Sequence, residues 1–110
     1  MSWQIACKLS ELEEGQMKRL NLDGIEVLLV GREGGVSAIP PMCPHMDEPL
    51  EHGMCDGKIL TCMKHLWQWD IDSGNPIGPA EASLEMYDIK VENDDVFVFV
   101  AHELAYERGA

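Results

Sequence analysis

The chain has no apolar run near the roughly 20 residues that a membrane-spanning helix needs. Its longest candidates, IEVLLV (25–30) and VFVFVA (96–101), have the length of strands. Its first residues, MSWQIACKLSELEEG, have no basic segment followed by a long apolar stretch, so no secretory leader is expected and the cytoplasm is the expected compartment. Basic residues are scarce: eight Lys and Arg stand against twenty Asp and Glu, a formal net charge of −12. Such a surface repels nucleic acid and anionic membranes and favours a partner with a basic patch. No internal repeat, low-complexity segment or linker interrupts the 110 residues, so a single domain over 1–110 is expected. Nucleophile–base pairs, a phosphate-binding glycine loop and flavin or nicotinamide motifs are also missing, which argues against an enzyme.

The chain does have short β-type runs separated by turn chemistry. Trp3–Leu9 reads as a first strand, and Gln16–Leu22 and Ile25–Val30 as a hairpin about the NLDG turn. Val36–Ile39 follows GREGG and is stopped by Pro40 and Pro41. Residues 42–54 read as a loop, Lys58–Thr61 as a short strand, and Leu66–Ile71 (LWQWDI) as its return, with Trp67, Trp69 and Ile71 on one face. Residues 72–80 (DSGNPIGPA) read as another loop. Glu85–Val91 and Val96–Ala101 form a last hairpin about ENDD, and 102–110 is a tail that forms a short helix or frays. About eight strands with no strong helical period predict an all-β antiparallel sandwich or barrel, with a two-loop module inserted at 42–80.

The chemistry is concentrated in that module. Cys43-Pro44-His45 is followed, after residues 46–61, by Cys62-Met63-Lys64-His65. Two thiolates and two imidazoles can meet at one point if the two loops meet, and in a reducing compartment this means metal more often than disulfide. Structural zinc takes such a set tetrahedrally, although its usual spacing pairs Cys with Cys and His with His. A mononuclear iron or copper site is a second reading. A [2Fe-2S] cluster with both cysteines on one iron and both histidines on the other fits the mixed pairs directly. Cys55 has no motif spacing to Cys43 or Cys62. His52 and His102 read as solvated, and Cys7 as a small buried hydrophobe.

The CxH…CxxH pattern at Cys43, His45, Cys62 and His65 resembles the signature of Rieske iron–sulfur proteins, and GNPIGPA (74–80) falls where that family has a Pro-containing third loop. CPHMDEPL and TCMKHLWQWD are most similar to the Rieske ferredoxins of multicomponent diiron toluene and related aromatic monooxygenases. The resemblance implies one [2Fe-2S] cluster per chain and those four residues as its ligands. It also implies a monomeric one-electron carrier between an NADH-dependent flavin and iron–sulfur reductase and a diiron hydroxylase. The ferredoxin of a ring-hydroxylating dioxygenase shares every one of these motifs. A zinc-stabilised interaction module is the alternative from another class.

Respiratory members of the family carry an extra cysteine in each ligand loop and hydroxyl donors to the cluster sulfurs. Here Glu48 and Lys64 stand at the former positions, and Trp67 and Trp69 at the latter. The resemblance therefore implies a potential low in the Rieske range of roughly −150 to +300 mV. Met42, Met46, Met54 and Met63 would give the module an adaptable apolar rim.

Overall fold

Turn geometry sets two of the hairpins. Asp23 and Gly24 both have positive φ (56° and 86°), as do Asn93 and Asp94 (50° and 69°). Positive φ at both central residues is the two-residue arrangement whose twist matches antiparallel strands. Asn21 Oδ1 also accepts the Gly24 N–H at 2.9 Å. In the computed structural model, which describes residues 2–42, 49–62, 66–78 and 82–100, these turns join β2 (Met17–Leu22) to β3 (Ile25–Arg32) and β9 (Ile89–Glu92) to β10 (Asp95–Val100). β1 (Ser2–Lys8) pairs with β10, giving one antiparallel sheet in the order β1-β10-β9. β4 (Gly35–Ile39) completes a second sheet, β2-β3-β4.

The run IEVLLV does not alternate because β3 is covered on both faces. Val27 and Leu29 face Val36, Ala38, Val96, Val98 and Tyr87 in one buried cluster. Leu28 and Val30 join Ile39, Leu50, Leu60, Cys62, Trp69, Ile71 and Leu84 in another. Near-continuous apolar character is what a strand buried on both sides requires.

The second cluster seats a third, four-stranded sheet: β5 (Met54–Cys55), β6 (Ile59–Thr61), β7 (Gln68–Asp70) and β8 (Pro76–Ile77). The inserted module expected at 42–80 is thus built on a small sheet, and it packs on the face of β3 opposite β10. Its two-residue edge strands fall in segments read as loops. Pairing alone defines them: Met54 and Cys55 lie opposite Thr61 and Leu60, and Pro76 lies opposite Trp69.

The expected strand Glu85–Val91 is shorter than its pattern: β9 begins at Ile89, and of the residues before it Asp88 alone bonds β10, its carbonyl accepting the Phe99 N–H at 2.9 Å. Instead the Tyr87 N–H donates to the Ala38 carbonyl at 2.9 Å, linking this segment to β4. Among the described residues no helix is long and apolar enough to cross a membrane.

One buried side chain of the middle sheet locks the module to it, and one close approach tightens the module itself. Ser37, the only buried polar residue among those described, donates from Oγ to the Ile71 carbonyl at 2.7 Å and accepts from Arg32 Nε at 3.1 Å. Gly53 passes so close to β6 that a Cβ there would lie 2.0 Å from the Thr61 carbonyl oxygen. Ser37→Ala leaves that buried Ile71 carbonyl without its donor and is expected to cost about 1–3 kcal/mol in urea unfolding; an unchanged midpoint would remove the lock. Gly53→Ala must displace backbone, and more than about 2 kcal/mol of destabilisation is expected in the same measurement.

Candidate metal centre

Cys62 directly follows β6, and its position is dictated from both sides. On the approach, Asp56 Oδ1 accepts the N–H groups of Lys58 and Ile59 at 2.9 and 2.8 Å and so shapes the turn into β6. These donors hold the Asp56 carboxyl below its ordinary range. Beyond Cys62 the chain turns back: the Cys62 N–H donates to the Trp67 carbonyl at 2.8 Å, and Leu66 adopts φ 56°, an uncommon left-handed value for a leucine. Leu66 is thus the described residue of the reversal between β6 and β7. Cys62 itself is 1% exposed and lies in the apolar cluster with Leu60 and Trp69.

The stem of the first loop is closed just as tightly. Met42 and Pro49 form an isolated antiparallel bridge, and the Leu50 N–H donates to the Pro41 carbonyl at 2.7 Å. A 3₁₀ turn over Leu50–His52 follows, with Leu50 buried in the same cluster as Cys62. Arg19 of β2 reaches this turn through Glu51, Nη1 to Oε1 at 2.7 Å. The stems that flank residues 43–48 and 63–65 are thus anchored in one cluster of buried side chains. Cys43, His45 and His65 lie outside the described residues, as do Met46, Glu48, Met63, Lys64 and His102. Of the four expected ligands, Cys62 alone has a described position.

The third expected loop is likewise anchored at its ends. The Gly74 N–H donates to the Asp70 carbonyl at 2.7 Å, the Leu84 N–H to the Gly74 carbonyl at 2.9 Å, and the Trp69 indole N–H to the Ala82 carbonyl at 2.7 Å. Trp69 is fully buried and meets Trp67 edge-on with ring centroids 6.3 Å apart, so both rings pack the module as expected. Neither the Arg19–Glu51 contact nor the Trp69–Ala82 bond has a signature in the sequence, since each joins residues from unrelated motifs.

Two further thiols are described: Cys7, and Cys55, which packs against the cluster that contains Cys62. Cys55 is partly buried on β5 and accepts the Gly57 N–H at 3.4 Å. Burial pushes its thiol up, as it does that of Cys7 on β1. His52 is exposed on the 3₁₀ turn. Met54 is 61% exposed and Met42 is partly covered, so the described part of the methionine rim is mixed.

The donor set suits a [2Fe-2S] group. Cys62 offers a sulfur in apolar surroundings, where a bare thiolate would be strongly disfavoured but one bound to iron would be neutralised. The set of two thiolates and two neutral imidazoles would cancel the positive charge of a core of two ferric ions and two sulfides.

Comparison with known proteins agrees. Residues 2–88 match the Rieske [2Fe-2S] domain family, which sets aside the zinc and mononuclear readings. The ferredoxin subunit of methanesulfonate monooxygenase from Methylosulfonomonas methylovora is 38% identical over 108 residues, spanning 97% of this chain and 88% of its own. The ferredoxin component of the alkene monooxygenase system of Xanthobacter autotrophicus is 33% identical over 93 residues, 84% of this chain and 76% of its own. Among solved structures, the ferredoxin of carbazole 1,9a-dioxygenase from Nocardioides aromaticivorans superimposes with a TM-score of 0.76 at 26% identity, covering 89% of this chain and 97% of that one. The chain belongs to the Rieske [2Fe-2S] domain family, as one of its electron-carrying ferredoxins with one cluster.

Proposed function

We propose that this ferredoxin is the electron carrier of a multicomponent monooxygenase, with Cys43 and Cys62 holding one iron and His45 and His65 the other. The observation that carries the reading is its 38% and 33% identity to ferredoxins of two monooxygenase systems, over 97% and 84% of the chain. The buried Cys62 and the closed stems around 43–48 and 63–65 support the ligand assignment.

When bound, the cluster supplies a one-electron couple without an open coordination position, so the chain carries charge and transforms no substrate. What the chain contributes is placement. The Met42–Pro49 and Cys62–Trp67 closures join the residues that flank 43–48 and 63–65, and the buried cluster around Cys62 keeps water from its sulfur. An NADH-dependent flavin and iron–sulfur reductase is the donor, and a diiron hydroxylase acting on a toluene-like hydrocarbon is the acceptor. The carrier works as a cytoplasmic monomer, and its charge of −12 steers it to basic patches on both partners. The likeness to a carbazole dioxygenase ferredoxin favours a second reading, in which the acceptor is a ring-hydroxylating dioxygenase.

Anaerobic mixing of the reduced protein with each purified oxygenase separates the two. Fast single-electron reoxidation by the diiron hydroxylase is expected, and reoxidation by the dioxygenase alone would reverse the choice. That rate should fall as salt is raised from 0.05 to 0.5 M, taking about these limits because the Debye length shrinks below roughly 10 Å across them; a rate indifferent to salt would exclude electrostatic steering. His65→Cys adds a thiolate charge and is expected to lower the potential of a surviving cluster in a redox titration. An unchanged potential would mean that His65 is not a ligand.

A further inference from the structure

The pairing of β6 with β7 puts four side chains on one face. Leu60 lies directly opposite Trp69, Cys62 is closed onto Trp67 by its N–H, and residues two apart share a face of a strand. Trp69 is therefore the diagonal neighbour of Cys62, within reach of an aromatic side chain. Both are buried in the same cluster, together with Leu84. The Trp69 ring is held at its far side by its own polar atom, because the indole N–H donates to the Ala82 carbonyl at 2.7 Å. One side chain thus touches two things at once: the apolar surroundings of the cysteine and the segment that returns after the third loop.

We propose that Trp69 is a positioning residue for the electron-carrying centre, and that its bond to Ala82 holds a water-free wall behind Cys62 and keeps the reduction potential low. The inference rests on the assignment of Cys62 as a ligand. The physical direction follows from charge. The bound centre is neutral when oxidised with neutral histidines and gains a negative charge on reduction, and apolar surroundings disfavour that charge. Freeing the indole lets the ring and the Ala82 segment separate, admits water, and stabilises the reduced form.

The test deletes the N–H without deleting the ring. Trp69 is replaced by β-(3-benzothienyl)alanine, in which sulfur stands for the indole nitrogen, and Trp69→Phe serves as a genetically encoded second variant. Ile71→Val, in the same buried cluster, is the packing control. In cluster-loaded protein, the benzothienyl variant should show a more positive potential and lose iron to a chelator about fivefold faster, the factor one ordinary hydrogen bond is worth. Ile71→Val should lower the unfolding midpoint and leave the potential in place. A benzothienyl variant with the wild-type potential and iron-loss rate overturns the inference, as does an equal potential shift in Ile71→Val. A Cys62→Ala protein that still carries an intact cluster overturns the ligand assignment itself, and the role of Trp69 with it.

Discussion

Burial of β3 on both faces is the constraint on which the rest depends. A strand whose Val27 and Leu29 face one way and whose Leu28 and Val30 face the other needs cover on each side, and it has two different covers. The β1-β10-β9 sheet provides one from the two ends of the sequence. The other is the small sheet β5–β8, whose own strands are two or three residues long and too short to stand alone. The module that carries the chemistry is therefore stable because it completes the core of the base, and the contacts that hold it there, Ser37 to Ile71 above all, are part of the same arrangement.

This layering explains how a protein with −12 net charge holds a redox group in a low-polarity setting. Among the described residues no acidic side chain is buried, whereas Cys62 sits among Leu50, Leu60 and Trp69. The mixed thiolate and imidazole ligation proposed above would keep the oxidised centre neutral, so that it could be seated against apolar side chains without a buried net charge. Trp69 is fully buried in this setting, and Trp67 packs against the same cluster.

Much of this was legible in the residues themselves. NLDG and ENDD announced two hairpins because Asn, Asp and Gly tolerate positive φ, and the alternation in LWQWDI put Trp67, Trp69 and Ile71 on one face, of which Trp69 and Ile71 are fully buried. Cys43, His45, Cys62 and His65 were singled out by type and spacing, and the family they resemble is the one to which the chain belongs. What could not be read was set by partners distant in sequence. Met54–Cys55 and Pro76–Ile77 are strands only because β6 and β7 lie beside them. Tyr87 leaves the expected strand because Ala38 accepts its N–H, and Arg19 acquires its role from Glu51. Short-range pattern has no access to such pairings, and the module is built largely from them.

The claim that one thiolate pair and one imidazole pair hold the cluster is tested most directly by electron paramagnetic resonance of the dithionite-reduced protein as purified. The account predicts a rhombic signal with an average g value clearly below that of all-cysteine [2Fe-2S] clusters. A signal of the all-cysteine type, or a colourless and silent sample containing zinc, would contradict it.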